Sequence, residues 1–196
     1  MASLCRLVYG RGLLEFYNIP RMQILKHNNY YTMQKLLQVN EKGEMHGSGT
    51  YFHADGGIYV GKFKEGKRNG HGKYRFRGGG SYTGEYSQDN KHGQGILKYP
   101  DGSVFEGIFH DNWKTSGKYV LADGSVYEGS FEKGKMHGQG RYVWVSGVSY
   151  SGQWKDGKRH GIGSMYLKDG SKAFTADWRD DRRIDLDEEE EDEESK

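Results

Sequence analysis

The stretch Tyr150-Ser151-Gly152-Gln153-Trp154-Lys155-Asp156-Gly157-Lys158-Arg159-His160-Gly161-Ile162-Gly163 sets aromatic, glycine and charged residues in a fixed order. That order returns along the chain. Tyr59, Tyr82, Phe105, Tyr127 and Tyr150 lie 23, 23, 22 and 23 residues apart. Each opens an aromatic-x-Gly-x-aromatic segment: Tyr59-Gly61-Phe63, Tyr82-Gly84-Tyr86, Phe105-Gly107-Phe109, Tyr127-Gly129-Phe131 and Tyr150-Gly152-Trp154. A G-x-G element follows in four copies, as Gly70/Gly72, Gly93/Gly95, Gly138/Gly140 and Gly161/Gly163. Asp-Gly pairs at Asp101-Gly102, Asp123-Gly124 and Asp169-Gly170 close the unit. Five copies in one register define a repeat protein.

The spacing inside each copy dictates strands. Side chains alternate across a strand with period two. In Tyr59-Val60-Gly61-Lys62-Phe63-Lys64, aromatics and glycine share one face, and Lys62 and Lys64 share the other. In Gly70-His71-Gly72-Lys73-Tyr74-Arg75-Phe76, Lys73 and Arg75 again oppose the rings. Two strands of about six residues, each followed by a turn of about five, account for the period. The expected fold is all-β: an elongated single-layer antiparallel sheet, one hairpin per repeat, about six repeats in all. Glycine within a strand weakens it unless another group approaches closely. Here a ring from a neighbouring strand is expected to cover the bare backbone. Glu65-Gly66 and Lys133-Gly134 are expected in hairpin loops, where positive φ is needed.

The array extends both ways. Gly43, Gly47/Gly49 and Asp55-Gly56 fit a copy over residues 36–58, whose opening Leu36-Gln38-Asn40 lacks the Tyr-x-Gly signature. Phe174-Ala176-Trp178 reads as the first strand of one more copy, and Gly10–Phe16 resembles Gly93–Tyr99. The third copy is one residue short and has Lys114-Thr115-Ser116-Gly117 where others have His-Gly-x-Gly. The expected organisation is an irregular segment or degenerate repeat over 1–35, a repeat array over 36–184 and a disordered acidic tail over 185–196. Residues 22–39 could form a cap, as a helix or as irregular strands.

These motifs resemble the MORN repeat family, whose pattern runs roughly Y-x-G-x-W-x-x-G-K-x-H-G-x-G followed by D-G. The resemblance covers residues 36–178 and departs in the third copy and in the opening of the 36–58 copy. It implies a non-enzymatic scaffold or interaction module. Members made of little but repeats imply a component of the axoneme of a cilium or flagellum, a radial spoke, or another cytoskeletal assembly. The implied partners are proteins of such a complex, tubulin among them, and a homodimer; the implied location is cytoplasm, cytoskeleton or axoneme. The alternative implied by the family is a tether on acidic phospholipid at a membrane surface.

Composition agrees with a sheet cored by rings. Glycine numbers 31 of 196 residues, and Tyr, Phe and Trp number 15, 8 and 4. Disordered chains are poor in aromatics. No run of 18 apolar residues occurs, so no transmembrane helix is expected. Cys5 is the single cysteine, which excludes an internal disulfide and a cysteine-based zinc site and suits a reducing compartment. Asp185–Glu194 holds nine acidic residues, while residues 1–184 hold 28 basic and 18 acidic side chains, a net of about +10. A basic body suits acidic partners.

Catalytic signatures are missing. There is no G-x-S-x-G elbow and no G-x-x-x-x-G-K-[ST] loop. His46, His92, His137 and His160 recur once per repeat, about 9–10 Å apart at ordinary strand spacing, too far for a shared ion. They are expected as structural loop residues. No cofactor, metal or nucleic-acid partner is expected. The candidate interaction surface is Lys62, Lys64, Lys73 and Arg75, on the face away from the rings.

Overall fold

In the computed structural model, residues 39–184 are described in full, and strands within residues 5–38 by backbone alone. All the described elements are strands. β1 (Cys5–Tyr9) and β2 (Gly12–Phe16) form a separate hairpin. The remaining strands make one sheet: β3 (Met22–His27), β4 (Tyr30–Lys35), β5 (Gln38–Val39), β6 (Met45–Phe52), β7 (Ile58–Lys64), β8 (Lys67–Arg75), β9 (Ser81–Ser87), β10 (Asn90–Lys98) and β11 (Val104–His110). They continue as β12 (Trp113–Val120), β13 (Val126–Glu132), β14 (Lys135–Val143), β15 (Ser149–Lys155), β16 (Lys158–Tyr166), β17 (Lys172–Arg179) and β18 (Arg182–Ile184). From β6 to β18 every strand pairs antiparallel with its neighbours in sequence, and the sheet stays open. Within residues 22–39, which the sequence left between helix and strands, the described residues form β3, β4 and β5. The opening of the 36–58 copy is reduced to β5, paired with β6 at Gln38↔His46 and Val39↔Met45. The acidic tail lies outside the described residues.

The two turns of a repeat are unequal, which corrects the even spacing expected. One has two residues, with both φ angles positive: Glu65 at 51° and Gly66 at 79°, and likewise Lys133-Gly134 and Asp156-Gly157. That geometry matches the twist of antiparallel strands. The other has five residues, in which the aspartate of Asp-Gly accepts the N–H two residues on, as Asp101 does from Ser103 at 2.9 Å. The strands are correspondingly longer than six, with seven residues in β7 and nine in β8.

Gly61↔Gly72, Gly72↔Gly84, Gly84↔Gly95 and Gly95↔Gly107 are direct cross-strand partners, and the row runs on through Gly117, Gly129, Gly140, Gly152 and Gly163 to Ala176. The ring over each pair comes from the first strand of the same hairpin. A Cβ on Gly95 would lie 2.5 Å from the Tyr82 hydroxyl, and one on Gly84 would lie 2.6 Å from Cα of Gly95. No side chain fits there. The first glycine of G-x-G does a different job. Gly70, Gly93, Gly138 and Gly161 take φ of 58–83° at a β-bulge, where the register of the strand pair shifts.

With no second layer over them among the described residues, the rings bury one another. Tyr59, Tyr82, Phe105, Tyr127 and Tyr150 are wholly buried. Edge-to-face contacts at 5.1–5.4 Å link Phe63, Tyr59, Tyr86, Tyr82, Phe109, Phe105, Phe131, Tyr127, Trp154 and Tyr150 into one zigzag. Each such contact adds about 0.5–1.5 kcal/mol beyond burial. Successive contacts alternate within and between repeats, so neighbouring hairpins stabilise each other.

Candidate interaction surface

The ring-bearing face is chemically occupied by the protein itself. Tyr59, Tyr82, Tyr127 and Tyr150 each donate a hydroxyl hydrogen bond to a backbone carbonyl three residues on, at 2.9–3.0 Å. Burial pushes the Tyr59 and Tyr150 hydroxyls up to about 12. Cations lie among the rings. The Arg68 guanidinium sits 5.0–5.8 Å from the centroids of Tyr59, Tyr74 and Tyr86. Lys114 Nζ is 4.5–5.5 Å from Tyr99, Phe105, Tyr119 and Phe131. Arg159 is 4.1 Å from the Trp178 ring centroid. Burial lowers the Lys114 and Lys91 ammonium groups below the ordinary lysine value. The sequence put aromatics and basic residues on opposite faces, and these cations are the exception. Arg68 stands directly opposite Phe63 in the ladder, and alternation places it with the rings.

Two of these cations are clamped to the next hairpin. Arg68 donates its backbone N–H and Nε to Asp89 Oδ1, at 2.8 and 3.1 Å, and a terminal nitrogen to the Asp89 carbonyl at 2.7 Å. Arg159 repeats all three bonds with Asp181 at 2.9–3.1 Å. Asp89 and Asp181 are the second residues of two-residue turns, at φ of 71°. Aspartate tolerates that conformation, and its carboxylate reaches back to the preceding repeat. Sequence reading missed these clamps, although Arg68/Asp89 and Arg159/Asp181 stand 21 and 22 residues apart, close to one period.

The opposite face is free of these constraints. Lys62, Lys64, Lys73 and Arg75 are all exposed there on β7 and β8. Val60 faces Lys73 across the ladder and is half exposed. Beside them an open groove of about 490 Å³ crosses the glycine row. Val60, Thr83 and Ile96 line it together with His71, Gln94, Lys73 and Glu106. The sequence named the basic rim but not the groove-lining Thr83, Gln94 and Ile96. Their signal was present: they occupy the ring-opposed positions of β9 and β10.

The recurring histidines are strand residues at the bulge rather than loop residues. His92 pairs in the ladder with Glu85, and His137 with Ser130. His137 Nε2 lies 3.3 Å from Glu132 Oε2. Among the described residues no three of His, Cys, Asp and Glu are placed to hold a metal ion.

The family model described as MORN repeat matches residues 41–58, 59–81, 82–104, 127–149 and 150–172. No curated protein sequence matches significantly. Among solved structures, the chain is similar to the TCP domain of Drosophila melanogaster SAS-4 (dCPAP), in complex with a proline-rich motif of Ana2 (dSTIL). The identity is 13%, the match covers 86% of this chain and 87% of that one, and the TM-score is 0.47. It is also similar to the TCP10 domain of Danio rerio CPAP in complex with a STIL peptide, with 11% identity, 90% and 100% coverage and a TM-score of 0.20. Likenesses this distant say nothing of function.

Proposed function

Because this chain belongs to the MORN-repeat family, we propose that it is a non-enzymatic scaffold of a cytoskeletal assembly, as a component of the axoneme of a cilium or flagellum. The observation that carries the reading is the division of labour between the faces. One face is spent on the protein's own rings, hydroxyls and cations. The other presents exposed Lys62, Lys64, Lys73 and Arg75 beside the groove lined by Val60 and Ile96. A basic rim with aliphatic side chains between suits an extended acidic protein segment, such as the acidic tail of tubulin.

Co-sedimentation with axonemal microtubules tests it. The native protein should pellet in a salt-sensitive manner, and the quadruple variant Lys62→Glu, Lys64→Glu, Lys73→Glu, Arg75→Glu should stay in the supernatant. Equal pelleting of the two proteins sinks the reading. Flotation with phosphoinositide vesicles is the parallel arm. Flotation of the native protein without microtubule binding would favour the lipid tether.

A further inference from the structure

The second strand of each hairpin sets one residue among the rings, directly opposite the hairpin's second ring. Four of these residues are cations: Arg68 opposite Phe63, Lys91 opposite Tyr86, Lys114 opposite Phe109 and Arg159 opposite Trp154. For three of them the protein supplies what the charge needs. Asp89 clamps Arg68, and Asp181 clamps Arg159. Lys114 has four rings within 5.5 Å. Lys91 has one ring, Tyr82, at 5.8 Å.

The clamp at Lys91 is half built. Asn112 holds the turn position of Asp89 and Asp181, at φ of 72°. Its Oδ1 accepts the Lys91 backbone N–H at 2.9 Å, as Asp89 Oδ1 accepts that of Arg68 at 2.8 Å. An amide brings no charge, however, and its Nδ2 donates to Asn90 Oδ1 at 2.7 Å. Among the described residues no carboxylate pairs with the Lys91 ammonium. Burial lowers that ammonium below the ordinary lysine value, and the Arg68 charge lowers it further. A half-buried charge without a counter-ion is costly. Beside it opens a pocket of about 100 Å³, lined by Lys91, Arg68, Asp89, Asn112, Tyr74 and Phe76. Arg68 and Lys91 against Asp89 leave this pocket with positive charge in excess.

We propose that this pocket binds an acidic side chain of another protein, whose carboxylate does for Lys91 what Asp89 does for Arg68 and Asp181 for Arg159. The carboxylate pairs with the Lys91 ammonium in a charge-assisted hydrogen bond. The stem of the acidic side chain packs on the Phe76 ring, which is 39% exposed. A volume of about 100 Å³ admits one such side chain and excludes drug-sized ligands, which need about 300 Å³ or more. The chain's own acidic run falls short of the pocket. β18 lies eight strands from β10, about 38 Å along the sheet at ordinary strand spacing. The ten residues Asp185–Glu194 span at most about 33–36 Å when fully extended. The pocket lies on the ring-bearing face, so it is a second site, independent of the rim formed by Lys62, Lys64, Lys73 and Arg75.

Titration of the full chain with a hexaglutamate peptide, followed by NMR at the Lys91 and Phe76 side chains, tests the site. Both signals should shift and saturate. Asn112→Asp supplies the missing carboxylate from within, so it should weaken the peptide's hold on this pocket at least about tenfold. Lys91→Met should abolish the shift at Phe76 and keep the fold, since Met136 holds the same place in the fourth repeat. If Lys91→Met alters the melting curve, Asn112→Asp decides alone. Lys62→Glu, on the other face, should leave the titration within about twofold in physiological salt, where charges beyond a Debye length are screened. Unshifted Lys91 and Phe76 signals, or an Asn112→Asp chain that binds like the native one, overturn the proposal. Changing the nine acids of Asp185–Glu194 to Asn and Gln should leave the Lys91 signal of the free chain in place. A signal that moves on this change alone makes the tail the occupant and overturns the proposal, and tighter binding of inorganic phosphate than of the peptide overturns it in favour of a phosphate ligand.

Discussion

The repeat over residues 105–126 and its regular neighbours build the same structure from different parts. The family model matches the copies on either side and passes over this one. Its opening residue is Phe105, which has no hydroxyl, and its second strand is one residue short. In the regular hairpin of β7 and β8 the register slips by two across the bulge, while between β11 and β12 it slips by one, from Ile108↔Ser116 to Phe109↔Lys114. The carbonyl that a tyrosine would cap is Ile108, and the Thr115 hydroxyl donates to it at 3.2 Å instead. Where Arg68 and Arg159 are clamped by aspartate, Lys114 rests in a cage of four rings. Two features do not change. Gly107 and Gly117 continue the glycine row, and Phe105 remains wholly buried in the zigzag. The difference separates what the fold requires, a bare backbone under a ring, from what it can replace, the hydroxyl cap and the bulge glycine.

The strongest test of that separation is at the shared row. Gly84→Val and Gly107→Val should each cost about 3 kcal/mol, because the added carbons meet backbone on the neighbouring strand. Chemical denaturation of both variants checks this. Tolerance at Gly107 alone would mean that the third repeat is loosely packed and the comparison fails.

Alkali should separate the repeats by their hydroxyls. Burial raises the Tyr59, Tyr82, Tyr127 and Tyr150 hydroxyls, Tyr59 and Tyr150 to about 12. In the unfolded chain tyrosine ionises near about 10. Below that value neither state loses a proton and stability is flat from this source. Above it the unfolded chain releases protons that the folded sheet retains, so stability falls. Lys91 and Lys114, lowered by burial, act oppositely, since the folded form sheds their protons first. Burial raises Tyr74, Tyr86 and Tyr99 as well, and these seven tyrosines outweigh two lysines. Melting temperatures should drop above about pH 10, with the tyrosinate absorbance of the buried tyrosines appearing on unfolding. Phe105→Tyr should steepen the drop by adding one more buried hydroxyl.

The clamp offers a middle-sized effect. Asp89→Ala removes the acceptor for two bonds and places alanine at positive φ, for a loss of about 1–3 kcal/mol in thermal unfolding. Asp89→Gly should lose less, because glycine relieves the backbone. Equal losses would show that the carboxylate, not the turn, carries the clamp.

Smaller still is the exchange of caps. Thr115→Val should cost about 1 kcal/mol, and adding Phe105→Tyr should recover most of it. A double-mutant cycle with no coupling would mean that the Ile108 carbonyl needs no cap. At the bottom of the scale, Lys62→Val should change stability by less than about 0.5 kcal/mol, since its side chain is exposed and valine favours strands.

The amino-acid order alone determined the period, the strands and the two faces, because alternation along a strand and a 23-residue recurrence are local properties. It also placed Lys62, Lys64, Lys73 and Arg75 together on one surface. Tertiary structure decided the rest. Glycines identical in sequence divide into those under rings, such as Gly72, and those at bulges, such as Gly70 at φ 83°. That division depends on the register of the neighbouring strand. The Arg68–Asp89 clamp and the groove between Val60 and Ile96 likewise join residues of different repeats. Their contacts are set by strand stacking, a long-range property that no window of sequence one repeat wide contains.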